Sequence, residues 1–361
     1  MRAVAYRHSL PITDPKALED VELDRPAPTG RDLLVEVKAV SVNPVDTKVR
    51  HRTDPQGAPK VLGYDAAGVV VATGPDATLF KPGDEVFYAG SIARSGTNAE
   101  FHLVDERIVG AKPKSLDFAA AAALPLTSIT AWELLFDRLE IKRGPGADTR
   151  TLLIVGGAGG VGSIAIQLAR RLTGLTVIAT ASRPDTKQWC KDLGAHHVID
   201  HSQPLKPQIE ALGLKAPELV VSLTATDQHQ ADIADLIAPQ GRFGLIDDPA
   251  KFELGLFKRK CVSVHWEFMF TRSLFDTPDI AEQHKLLGEV AKLVDQGVLR
   301  TTLAETMGAI NAANLIKAHA LIESGKAKGK VVLAGFWRRT TTLSSRGAPQ
   351  RRIPVRQIGH G

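Results

Sequence analysis

The chain has 361 residues, 43% hydrophobic and 24% charged, enough for two globular domains with sizeable cores. Its formal net charge is +5, but residues 338–361 hold six arginines and no acid, which leaves the body near −1 and gives no sign of a nucleic-acid face. Two distant cysteines, Cys190 and Cys261, exclude a disulfide framework or a site built from three or four thiolates and point to a reducing, cytoplasmic setting.

The opening stretch, "MRAVAYRHSLPITDP", has no apolar h-region, so no secretory signal is expected. Residues 1 to about 125 read as β-rich. Runs such as "LLVEVKAVSV" and "GVVVAT" alternate, and turn signals bound them at 28–30, 74–75 and 81–86, which suggests a small barrel or sandwich. From Leu152 the rhythm changes to short apolar runs separated by helical segments. The runs lie at 152–155, 176–180, 197–200, 219–223 and 242–246. Ile164, Leu168 and Leu172 mark one face of the first helix, and Gly174 stops it. Strands alternating with helices predict a parallel, doubly wound α/β sheet. Residues 152–169 are uncharged over about the length of a membrane span, but five glycines near the middle favour a turn, so no membrane association is expected. Near the end, "NAANLIKAHALIESG" reads as a helix and "GKVVLAG" as a strand; both are expected to return to the first domain. The segment 338–361, rich in Ser, Thr, Gly, Pro and Arg, reads as a disordered basic tail.

Gly157, Gly159, Gly160, Val161 and Gly162 belong to a G-x-G-x-x-G match that follows a predicted strand and opens a helix within a βαβ unit. Glycines let the backbone approach a pyrophosphate, and the helix N-terminus offers free N–H groups and a positive dipole end. The end of the second strand chooses the nucleotide. An NAD site places an acid there, on the ribose 2′-hydroxyl. Here the sequence has Ser182 and Arg183, with Lys187 a turn later, which suits the 2′-phosphate of NADP(H).

Several motifs together resemble one family: "NPVD" (43–46), "GYDAAGVV" (63–70), "KPGDEVF" (81–87), "LPLTSITAWE" (124–133), "GGAGGVGS" (156–163) and "GKAKGKVVL" (325–333). They occur in the order found in the medium-chain dehydrogenase/reductase superfamily, and the chain is most similar to its quinone oxidoreductase branch, often called zinc-type alcohol dehydrogenase-like. The resemblance implies a GroES-like β-rich catalytic domain, residues 1–126 completed by 298–337, and a Rossmann NADP-binding domain with a doubly wound parallel sheet, residues 127–297. It also implies cofactor contacts from Asn43, Thr127, Leu223, Ile246 and Lys330, and a homodimer paired through the strand at 262–270.

Zinc members of that superfamily hold a catalytic ion with Cys and His plus a further Cys or carboxylate. In this sequence Asn43 stands at the place of the first Cys, Tyr64 at that of the His, and Asp65 at that of the neighbouring Glu. The expectation is therefore an enzyme with no metal. Without a Lewis acid an activated acceptor is the easier substrate. The reading is hydride transfer from NADPH to a quinone or an α,β-unsaturated carbonyl, with Tyr64 and Asn43 as catalytic hydrogen-bond donors and Asp46 holding its loop. Two alternatives stand beside it: an enoyl-thioester reductase, and a non-catalytic NADPH-binding protein.

Overall fold

The computed structural model describes residues 1–144 and 146–337; the reading of 338–361 as a disordered tail lies outside the described residues. The N-terminal part contains β1 (Arg2–Tyr6), β2 (Glu19–Glu22), β3 (Asp32–Val42), α1 (Pro44–Arg52), β4 (Lys60–Val61), β5 (Ala66–Thr73), β6 (Glu85–Tyr88), β7 (Phe101–Asp105) and β8 (Val109–Ala111). β1 sits between β2 and β4 in a small antiparallel sheet. β3 is the spine of a larger one. Its eleven residues are long enough to pair with β5 along most of their length and with β7 over Asp32–Glu36. Leu33, Val35, Val37, Val40 and Val42 of β3 pack into one buried cluster with Val70 and Val86.

The chain leaves this sheet through α2 (Phe118–Ala122) and α3 (Pro125–Trp132), which continues as a π-helical turn over Glu133–Arg138. Phe118–Arg138 is the one helical stretch among the described residues long and apolar enough to cross a membrane, yet 83% of its apolar window is buried inside the protein. It is a core element: Leu124, Ile129, Leu134 and Leu135 join residues of both sheets in one cluster.

Next come β9 (Thr151–Val155), α4 (Gly160–Leu172), β10 (Thr176–Thr180), α5 (Pro184–Asp192), β11 (His197–Ile199), α6 (Leu205–Ala211), β12 (Leu219–Ser222), α7 (Thr226–Leu236), β13 (Arg242–Leu245) and β14 (Ser263–Trp266). All six strands are parallel, in the order β11-β10-β9-β12-β13-β14. This is the Rossmann order, with the direction of winding reversing between β9 and β12, where a crevice opens beyond the strand ends. The uncharged 152–169 stretch is broken into β9, a glycine turn and α4, so it does not form one helix. The strand expected over 262–270 stops at Trp266. The Glu267 N–H still bonds Leu245 O at 3.0 Å, but its side chain turns inward to Arg138, and the chain leaves the sheet.

α8 (Thr271–Phe275) and α9 (Glu282–Asp295) follow, then β15 (Leu303–Thr306), α10 (Ala312–Glu323) and β16 (Lys330–Ala334). β16 pairs antiparallel with β3 and parallel with β15, so the C-terminal segment completes the sheet begun by the N-terminal one. The register sets Val331 against Val42, which brings Lys330 beside the Asn43 turn that starts α1.

Candidate active site

The crevice between the two domains carries two clusters. The first is the glycine turn. Gly156 has φ of +86°, and an ideal Cβ on Gly162 would lie 2.4 Å from Gly156 O, so no side chain fits where the first turn of α4 packs on the loop. The amides at the start of α4 precede any intrahelical acceptor and face the crevice end of the helix. Gly157 N–H is held by Thr180 O at 3.0 Å. Gly159 is the residue ahead of α4, and Val161 packs at the edge of the core. Leu223 and Ile246 follow the ends of β12 and β13, with Leu223 N–H bonded to Val155 O at 3.1 Å and Ile246 N–H to Ser222 O at 3.3 Å.

The start of α3 and the segment entering β16 close on this turn. A Cβ on Gly160 would fall 2.8 Å from Lys330 Cδ and 3.1 Å from Thr127 Cγ2. Gly329 N–H donates to Ala158 O at 2.9 Å. Thr127 and the stem of Lys330 thus flank the helix start that the sequence singles out for the cofactor.

At the end of β10, Ser182 is half-buried and Arg183 sits immediately before α5. The Arg183 guanidinium donates to Lys326 O at 3.0 Å and lies 3.5 Å from Asp185. Lys187 is engaged elsewhere: its ammonium pairs with Asp200 at 2.8 Å, and together with the Ser202 hydroxyl it holds the Asp200 carboxyl down at about 2.

The second cluster is built on "GYDAAG". Gly63 has φ of +112°, and a Cβ there would meet Thr97 Oγ1 at 2.5 Å, so only glycine carries the chain into this turn. Asn43, Asp46, Tyr64, Asp65 and Lys330 are all at most 3% exposed. The Asp65 carboxylate accepts from Leu126 N–H at 2.8 Å and from Asn43 Nδ2 at 2.8 Å, and it lies 3.0 Å from the Lys330 ammonium. Lys330 also donates to Val42 O at 3.0 Å and to the Asn43 side-chain oxygen. Its three N–H groups therefore have three protein acceptors, and its approach to the crevice is through its aliphatic stem. Burial pushes the Asp65 carboxyl up; Lys330, Asn43 and the Leu126 amide oppose that by favouring its charged form.

Asp46 accepts from Asn43 N–H at 2.7 Å through Oδ2. Among the described residues its Oδ1 has no hydrogen-bond partner, and neither does the buried Tyr64 hydroxyl. Burial, helped by the Asp65 charge, raises Asp46 to about 7 against the pull of the Asn43 amide and Lys330. Tyr64 is also pushed up, first by burial and then by the Asp46 charge. Its ring meets Phe270 edge-on at 5.4 Å. An orphaned buried hydroxyl costs on the order of 1–3 kcal/mol.

Comparison with known proteins decides the family. Residues 29–114 match "Alcohol dehydrogenase GroES-like domain" and residues 193–333 match "Zinc-binding dehydrogenase". A zinc-type alcohol dehydrogenase-like protein of Staphylococcus aureus is 39% identical over 338 residues, 92% of this chain and 99% of that one. The chain belongs to the medium-chain dehydrogenase/reductase superfamily. A putative zinc-dependent alcohol dehydrogenase from Rhizobium etli shares 66% identity and superposes with a TM-score of 0.90 over 94% of this chain and 99% of its own. The quinone oxidoreductase of Pseudomonas syringae gives 27% identity and 0.77 over 92% and 99%.

These names imply zinc, and the donor set of this dehydrogenase/reductase does not fit it. Asn43 and Tyr64 offer neither thiolate nor imidazole, and Asp65 already has the Lys330 ammonium and two N–H donors. Among the described residues no three His, Cys, Asp or Glu side chains converge. The local cation of the cluster is Lys330. The residues do fit a dinucleotide, through the glycine turn at the winding reversal.

Sequence spacing singles out the glycine turn and Arg183, and the family resemblance singles out Asn43 and Tyr64. Both miss the Asp65–Lys330 pair and the contact with Phe270. Asp65 carries one signal, its place beside the residue that aligns with a ligand His. The closure of Lys330 onto residue 43 depends on the β16–β3 register, which local sequence does not encode.

Proposed function

We propose that the protein is a cytoplasmic NADPH:quinone or enone oxidoreductase that works without catalytic zinc. The observation that carries this is the pairing of an unpartnered, buried Tyr64 hydroxyl with a neighbouring cluster whose cation is Lys330. NADPH held on the glycine turn, with its 2′-phosphate toward Ser182 and Arg183, supplies the hydride. Thr127, Leu223 and Ile246 border the nicotinamide end. In an enone or quinone, hydride adds to the conjugated carbon system and one proton completes the reduction. Tyr64 donates a hydrogen bond to the carbonyl oxygen as it becomes enolate-like, a contribution of roughly 2.7–4 kcal/mol for one positioned donor. Asn43 fixes the turn, its amide committed to Asp65 and its side-chain oxygen to Lys330. Asp46 acts on Tyr64 through its charge, with no hydrogen bond between the two side chains. A tyrosine beside an anionic carboxylate keeps its proton, and one beside a neutral Asp46 releases it more readily. Likeness to the Pseudomonas syringae protein, a quinone oxidoreductase, supports this substrate class.

The outer edge of β14 with Trp266, Phe268 and Phe275, exposed to 53%, 45% and 71%, is the surface on which we base a homodimer. The assay is NADPH oxidation with 9,10-phenanthrenequinone, 1,4-benzoquinone and an alkenal. Turnover with at least one is expected; tight NADPH binding without turnover on any would overturn the enzymatic reading.

A further inference from the structure

The loop between α10 and β16, "SGKAKGK", belongs to the catalytic domain by sheet pairing but lies against the nucleotide domain. Three contacts hold it there. Gly329 N–H bonds Ala158 O, Lys326 O accepts from the Arg183 guanidinium, and the Lys328 ammonium sits over the Trp189 ring at 5.5 Å. Lys328 is also 3.7 Å from Asp185, the same carboxylate that lies 3.5 Å from Arg183. One anion is thus already shared by a cation from each domain. Both pairs are long, and all three side chains are a third or more exposed, so each pair contributes little by itself.

That arrangement lies at the end of β10, where a Rossmann fold presents the adenosine ribose and where an arginine meets a 2′-phosphate. Lys187, the second cation expected from sequence, is committed to Asp200. Lys328, which shares Asp185 with Arg183, is a further cation at this place. We propose that Lys328 and Arg183 form a two-domain clamp on the 2′-phosphate, so that the phosphate that distinguishes NADPH from NADH also ties the catalytic domain to the nucleotide domain. This rests on the NADP(H) reading. Arg183 supplies a planar fork of donors and Lys328 a point charge, the usual complementary pair on a phosphate dianion. Asp185 is the anion that the phosphate displaces from both cations, and its own charge opposes binding.

The test uses two adenosine fragments, 2′,5′-ADP and 5′-AMP, titrated calorimetrically into the full chain. Wild type is expected to prefer 2′,5′-ADP. Lys328→Gln should weaken 2′,5′-ADP about tenfold and leave 5′-AMP unchanged. Asp185→Asn should tighten 2′,5′-ADP and leave 5′-AMP unchanged. If wild type discriminates but Lys328→Gln weakens neither fragment, or weakens both equally, the clamp is wrong while the NADP(H) reading stands. If wild type binds both fragments equally, the NADP(H) reading falls and the clamp with it. Lys328 is exposed on a loop, so the variant is expected to fold, and an unchanged melting temperature checks this.

Discussion

The two ends of the crevice are made from different materials. The nucleotide end is backbone: glycines without Cβ, helix amides and strand ends, with charged side chains only at its rim. The proposed catalytic end is side chain: Asn43, Asp46, Tyr64, Asp65 and Lys330, all buried and almost all mutually bonded. A backbone site tolerates change around it as long as the chain path survives. A buried charged site fails as a unit, because removing one member leaves another without its partner.

The largest effect should therefore come from Lys330. Lys330→Met leaves Asp65 buried without its cation and is expected to destabilise the fold by about 3–5 kcal/mol. The double variant Asp65→Asn, Lys330→Met should recover most of that loss in chemical denaturation. Recovery no better than the single variant would mean the two residues act independently.

Tyr64→Phe removes the unpartnered hydroxyl and should raise stability by about 1–3 kcal/mol, leave NADPH affinity near wild type and reduce kcat for an enone by about 10²–10³. An unaltered kcat would reduce Tyr64 to a wall of the crevice. At the backbone end, Arg183→Ala should raise the Kd for NADPH by about tenfold or more and barely move that for NADH. Equal changes for both cofactors would remove the 2′-phosphate from this residue.

Asp46 gives the smallest effect at neutral pH and the most informative shape. Its carboxyl is raised from 3.8 to about 7, so the folded state binds that proton more tightly than the unfolded chain. The stability it contributes is fully present below 3.8 and is lost as pH rises through about 7. Turnover is expected to fall over the same upper limb, because an anionic Asp46 holds the Tyr64 proton in place. Asp46→Asn should flatten that limb in a pH–kcat profile; a limb that persists unchanged belongs to another group.

The same contrast explains what the sequence makes legible. The glycine turn is readable because its chemistry is local: a strand, a spaced set of glycines and a helix within a single βαβ unit. The parallel sheet follows from the alternation of elements, and the observed strands match the apolar runs to within a residue or so. The side-chain cluster is only half readable. Asn43 and Tyr64 stand out by what they replace, whereas the Asp65–Lys330 pair joins residues brought together by the β3–β16 register. Asp46 reads from sequence as a loop holder, and in the fold it bonds the Asn43 amide, but its partnerless oxygen emerges only once the turn is folded. The neutralisation of Lys187 by Asp200 is likewise invisible in sequence, since the acid lies on the next strand's exit.

The claim most exposed to test is the identity of the cation at the proposed catalytic end. The direct measurement is zinc content and NADPH-dependent reduction of 9,10-phenanthrenequinone on one preparation, before and after exhaustive treatment with a chelator. Lys330 as the resident cation predicts substoichiometric zinc and unchanged turnover. Stoichiometric zinc whose removal abolishes turnover, and whose return restores it, would contradict it.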